Sequence, residues 1–175
     1  MPGPADPIRT ERLDLVLLTA AWLRAYVAGE SLPALGFTDP DDFLAGSESS
    51  VHLRVEQLLH APSDEPWLLR AIVLRATGAA IGRVNFHAPP DERGMVEIGY
   101  QVCPAYRRSG YAAEAVRGMW AWAARQGALM LRVSVAPDNT ASLALARRAG
   151  FVQVDQQIDD VDGLELVLER PTGIG

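Results

Sequence analysis

Only one cysteine, Cys103, occurs in the sequence, which excludes an internal disulfide and any cysteine-based zinc cluster. The three histidines, His52, His60 and His87, show no ligand spacing beside a cysteine or carboxylate, so no metal is expected. No apolar run approaches the roughly 18 residues of a membrane helix. The opening "MPGPADPIRT" has neither the basic start nor the apolar core of a secretory signal. The expectation is a cytoplasmic protein without a membrane partner. An excess of positive charge is missing too. The net charge of −6 and pI of about 5.0 argue against a nucleic-acid surface. Internal repeats and low-complexity segments are absent.

What is present is globular: 49% hydrophobic and 22% charged residues in a chain of 175, read as a single domain over residues 1–175. Residues 1–7 carry three prolines and are expected to form a loose tail. "IRTERLDLVLL" alternates as a half-buried strand does. "TAAWLRAYVAG" follows as a short helix with Thr19 as N-cap and Gly29 as its stop. Residues 31–66 are broken by prolines, yet "SESSVHLRVEQLLH" places Val51, Val55, Leu58 and Leu59 on one helical face. "WLLRAIVLRA", "AIGRVNFHA" and "GMVEIGYQV" read as an antiparallel meander. Over residues 111–126 apolar positions then recur at three- and four-residue steps, ending at Gly127. A buried strand "ALMLRVSVA", a second helix "NTASLALARRAG" and a closing strand pair complete the chain. The fold class is α/β (α+β): a mixed, mostly antiparallel sheet of six to seven strands flanked by helices.

The chemistry concentrates at "YRRSGYAAEAV", residues 106–116, where a strand runs through a turn into a strongly amphipathic helix. Helix starts leave backbone N–H groups unpaired and favour anions. Gly110 permits positive φ or close approach, Ala112 keeps the next position small, and Arg107 and Arg108 add charge-assisted donors. A phosphate, most simply a pyrophosphate, fits such a turn. A solvated basic loop has the same residue types. The P-loop ending and the three-glycine dinucleotide fingerprint are both absent.

"RRSGYA" (residues 107–112) resembles the acetyl-CoA signature Gln/Arg-x-x-Gly-x-Gly/Ala of the GNAT N-acetyltransferase superfamily. "IRTERLDL", "VEIGYQVCPAYRRSGYAAEAV" and "PDNTASLALARRAGF" are similar, in the right order, to segments of the RimJ/RimL-like branch that acetylates ribosomal-protein N-termini. The resemblance implies acetyl-CoA as co-substrate. Its pyrophosphate would lie on the backbone of Arg107, Arg108, Ser109, Gly110, Tyr111 and Ala112, and its pantetheine arm along Tyr100, Gln101 and Val102. Asn139 and Ser142 would stand near the thioester. Where some relatives carry a tyrosine acid, this chain has Leu145 and Ala146, so Ser142 or water is expected to protonate the thiolate.

The base expected from strand "MVEIGY" is Glu97, whose spacing before Arg107 matches the glutamate base of lysine-acetylating relatives and whose burial would raise its pKa. Glu97 could equally bind the substrate ammonium without taking its proton. His87 is a candidate support. Cys103 reads as a small buried thiol, and Trp22, Trp67, Trp120 and Trp122 as packing residues. The acceptor pocket is expected from residues 22–60 and the "FHAPPDERG" hairpin. The expected reaction is direct acetylation of a primary amine, on a protein N-terminus or on an antibiotic- or polyamine-like small molecule. A CoA-binding module without catalysis is the reading from another class. The closing strands are a candidate homodimer surface.

Overall fold

In "LDLVL" the leucines fall at every second position, and in the computed structural model Leu13, Leu15 and Leu17 are buried while Asp14 and Val16 are not. That model describes residues 6–160 and 163–173, so residues 1–5 of the expected loose tail lie outside the described residues. The first strand region folds as two strands, β1 (Ile8–Arg9) and β2 (Leu13–Leu17), because the chain reverses where Thr10 N–H donates to Leu13 O at 2.9 Å. Helix α1 (Ala20–Ala28) starts where Thr19 Oγ1 accepts from Trp22 N and ends at Gly29 in the left-handed region. Helix α2 is Glu48–His60.

Strands β3 (Arg70–Leu74), β4 (Ala79–Phe86) and β5 (Met95–Val102) form the expected antiparallel meander. Helix α3 (Tyr111–Arg125), strand β6 (Met130–Val135), helix α4 (Thr140–Arg148) and strands β7 (Val152–Asp159) and β8 (Gly163–Pro171) follow. The sheet has eight strands in the order β1-β2-β3-β4-β5-β6-β8-β7, more than the six to seven expected, since β1 separates from β2.

Alternation along β3 assigns each sheet face its core. Ile72 packs with Leu13, Leu15, Ile81, Val116, Met119 and Trp120 under α3. Ala71 and Val73 pack with Trp22, Leu23, Val51 and Leu58 under α1 and α2. The tryptophans serve packing as expected: Trp22 stacks on Tyr26 at 5.6 Å, Trp67 meets Trp122 at 4.7 Å, and Trp120 meets Phe151 at 4.7 Å. At the far edge, β7 leaves Val152, Val154 and Ile158 exposed. Among the described residues no helix is long and apolar enough to cross a membrane.

The seam between β5 and β6 positions the site. This parallel pair is matched only over Met95, Val96 and Glu97, against Met130, Leu131 and Arg132. Beyond Glu97, β5 stays with β4 through Val102 and β6 stays with β8 through Val135, so the two strands part. On its other side, β5 is drawn tightly onto β4 at Gly82, where a Cβ would overlap the Gln101 carbonyl oxygen. Gly82→Ala is therefore expected to cost about 1–3 kcal/mol in urea-unfolding free energy by pushing β5 off its neighbour. A variant as stable as the parent would contradict that packing.

Candidate active site

The turn between β5 and α3 carries two left-handed residues, Arg108 (φ 60°) and Gly110 (φ 80°), in a stretch that opens α3. Such alternation turns successive backbone N–H groups to one side and makes an anion-binding concavity at a helix N-terminus. A Cβ on Gly110 would make only an ordinary 3.5 Å contact with Arg12 Nη2, so φ rather than crowding asks for glycine. Arg107 Nε donates to Val102 O at 2.9 Å and ties the turn to the end of β5.

Arg12, to which the sequence assigned no role, holds the turn from the other side. Its Nη1 donates to Ser109 O (3.1 Å), its Nε to Glu114 Oε2 (2.7 Å), and its guanidinium lies 4.4 Å from the Tyr111 ring centroid. Glu114 also accepts from Arg12 N (2.7 Å) and Thr10 Oγ1 (2.6 Å). Desolvation pushes the Glu114 carboxyl up, but the hydrogen bonds from Thr10 and Arg12 outweigh it and hold the group below its ordinary value. A sequence signal for this exists: Glu114 is a carboxylate directly beside the apolar stripe of α3.

Two clefts open where β5 and β6 part. The larger, about 1090 Å³, runs from the turn along α3 and α4. Tyr100, Gln101, Val102, Arg107, Arg108, Gly110, Tyr111, Ala112, Asn139 and Ser142 lie along it. Ser109 does not, its carbonyl being engaged by Arg12. The smaller, about 450 Å³, lies on the Glu97 side. Tyr100, Asn139 and Ser142 line both, so the clefts meet at these three residues. Asn139 caps α4, its Oδ1 accepting from Ser142 N at 3.1 Å. Tyr100 and Ser142 thus stand together at the junction. Burial raises the Tyr100 hydroxyl, and Ser142 tempers the rise.

In the smaller cleft Ser134 Oγ donates to Glu97 Oε1 at 2.5 Å, and His87 Nδ1 stands 4.0 Å from Glu97 Oε2. Arg132, opposite Glu97 in register, is paired instead with Glu169 at 2.6 Å. Burial of the inner face of His87, with the charges of Arg54 and Arg83, lowers the imidazole below its ordinary value against the pull of Glu97 and Asp159. Gly99 makes room for this ring: a Cβ there would sit 3.1 Å from His87 Nε2. Of the residues expected around the acceptor, Ser50 and Arg54 from 22–60 and His87 from the hairpin line this cleft, and Trp22 does not. The C-terminal strands line it through Gln157, Asp159 and Glu165. Cys103 is buried, and its thiol is pushed up chiefly by that burial, which disfavours the nucleophilic thiolate. Among the described residues no group of His, Cys, Asp and Glu could hold a metal ion.

The acetyltransferase (GNAT) domain model matches residues 21–152, and the chain belongs to that family. It is 32% identical over 82 residues to the uncharacterized N-acetyltransferase YjdG of Bacillus subtilis (strain 168), a match covering 46% of this chain. The matched segment spans about half (49%) of that relative's length. Among solved structures, a GNAT acetyltransferase of Bacillus anthracis superposes with a TM-score of 0.65 at 17% identity, covering 95% of this chain and 98% of the other. RimL, a ribosomal L7/L12 alpha-N-protein acetyltransferase in complex with coenzyme A, gives the same TM-score, identity and coverages. At such identity the likeness concerns the fold.

Since the folded Glu114 carboxyl lies below the unfolded value of about 4.5, its contribution to stability is present above that pH and lost as pH falls through the folded value. The unfolding free-energy gap between the wild type and Glu114→Gln is expected to shrink as pH drops below about 4.5. A pH-independent gap in urea titrations would contradict the network.

Proposed function

We propose that this chain moves an acetyl group from acetyl-CoA to a primary amine by direct attack in a ternary complex, without an acyl-enzyme. The observation that carries this reading is the meeting of two clefts at Tyr100, Asn139 and Ser142, where β5 and β6 part. The backbone of residues 107–112 holds the pyrophosphate. The edge of β5 at Tyr100, Gln101 and Val102, left without β6 as partner, receives the pantetheine arm. Acetyl-CoA supplies the activated thioester.

Glu97, fixed by Ser134 and flanked by the lowered imidazole of His87, binds the amine and takes its proton. As the C–N bond forms and the C–S bond breaks, Ser142, at the junction of the two clefts, returns a proton to the sulfur. Backbone N–H near residue 100 polarises the carbonyl. The fold likeness to RimL supports a protein N-terminus as acceptor. The modest volume of the acceptor cleft, about 450 Å³, favours a small amine as the second reading.

Thiol-release assays on an amine and peptide panel test this. Glu97→Gln is expected to lower kcat about 10²- to 10⁴-fold, and Ser142→Ala by a smaller factor. If both together turned over every accepted amine at the parent rate, the mechanism would be wrong. If calorimetry found no acetyl-CoA binding, the whole reading would fall. Every basic residue among the 16 Lys+Arg is arginine, so no lysine of the enzyme competes as acceptor in such assays.

A further inference from the structure

The smaller cleft, which would seat the acceptor, is lined by charges of both signs: Arg54 of α2 and Arg83 of β4, and Glu97 of β5, Asp159 of β7 and Glu165 of β8. Arg54 is 9% exposed. Its Nη1 donates to Gln57 Oε1 (2.7 Å) and to His87 O (3.0 Å), and its Nε is buried without a hydrogen-bond partner. Arg83 Nε donates to Ser47 Oγ (2.7 Å) and its Nη1 to Asn85 Oδ1 (3.5 Å). All of these partners are neutral.

Among the described residues neither guanidinium comes within ion-pair distance of a carboxylate, whereas Arg12, Arg75, Arg93 and Arg132 each do. Burial lowers the proton affinity of both, and the charge of Arg83 lowers that of Arg54 further. Two desolvated like charges without a counter-ion are unfavourable unless something else supplies the anion. The same pair faces a site that, on the acetyltransferase reading, must also seat an amine beside Glu97.

We infer that the accepted amine carries an oxyanion of its own, a carboxylate or a phosphate, seated against Arg54 and Arg83 while the amine lies at Glu97. This deepens the second of the two readings above: the acceptor is then a small zwitterion. The cleft volume of about 450 Å³ lies within the range of small-molecule sites. Guanidiniums match both oxyanions through paired N–H donors. The inference rests on the acetyltransferase reading for the amine end alone; the anion end stands on the two arginines.

Two matched pairs of acceptors distinguish the oxyanions: alanine against alaninamide, and phosphoethanolamine against ethanolamine. In at least one pair the anionic member is expected to exceed the neutral one by about 10- to 100-fold in kcat/KM. That ratio should fall toward one in Arg83→Gln and Arg54→Gln. Because Arg54 is buried and its variant could fail to fold, a binding readout accompanies the kinetics. Inorganic phosphate should raise the thermal midpoint of the wild type, and part of that shift should vanish in Arg83→Gln, which leaves the turn at residues 107–112 intact. Neutral members performing as well as anionic ones, with a phosphate shift identical in wild type and Arg83→Gln, would overturn the inference. A peptide with an acidic second residue outrunning both small pairs would overturn the small-zwitterion assignment. Absence of acetyl-CoA binding, by contrast, strikes the proposed activity and leaves the phosphate comparison to decide this one.

Discussion

The structure depends on a pairing that stops early. β5 and β6 share only three residues of parallel ladder, and each then follows its antiparallel partner away from the other. Antiparallel neighbours are more stable per residue than parallel ones, so the two stronger ladders win and the weaker central one opens. Backbone groups at a parted seam need partners from water or from a guest. A guest that is extended and rich in amides satisfies them as a further strand would. This is why a slot in the middle of a sheet suits the arm of a cofactor, while the turn at its mouth suits that cofactor's charge.

The turn does not hold its shape alone. Glu114 gathers donors from Thr10 and Arg12, more than one hundred positions earlier in the chain, and Arg12 continues to the Ser109 carbonyl. The contact is close because α3 offers Gly118 where Thr10 Cγ2 would meet a Cβ at 2.6 Å. The hairpin of β1 and β2 must dock on α3 before the left-handed backbone at Arg108 and Gly110 is braced. Local strain at a functional turn persists only where its surroundings over-determine it, and here they are long-range contacts.

Much of this was legible from local pattern. The three- and four-residue apolar steps of α3, the alternation of β2, and Thr19 and Gly29 at the ends of α1 are short-range physics, and they reappear in the fold. So does the convergence of the Gly110 turn with Asn139 and Ser142 on one cleft, since strand, turn and helix order constrain where helix starts point. What was not legible arises between distant segments. The left-handed Arg108, the meeting of Tyr100 with Ser142 at the junction of the clefts, and the entry of Asp159 and Glu165 into the smaller cleft have no local signature. A charged residue on an exposed-looking strand such as "VQVDQQID" reads as solvated until β8 and β6 bring it to the cleft that Glu97 also lines. Arg54 misleads in the same way, as an ordinary polar residue on an amphipathic helix, although it is 9% exposed.

The mixed charges of that cleft bear on how the site would choose among amines. Attraction of an ammonium to Glu97 and its neighbours favours every amine alike and discriminates little. Arg54 and Arg83 act differently, because an acceptor that displaces water from them without supplying an anion leaves two guanidiniums desolvated with only neutral partners. Sites built to hydrogen-bond a group reject analogues lacking it far more strongly than apolar pockets reject a missing methylene. The discriminating force then resides in the enzyme's own unsatisfied donors. Polycations would meet the further obstacle of like charge at Arg54 and Arg83, so a charge layout suited to an oxyanion would also act against polyamine-like acceptors.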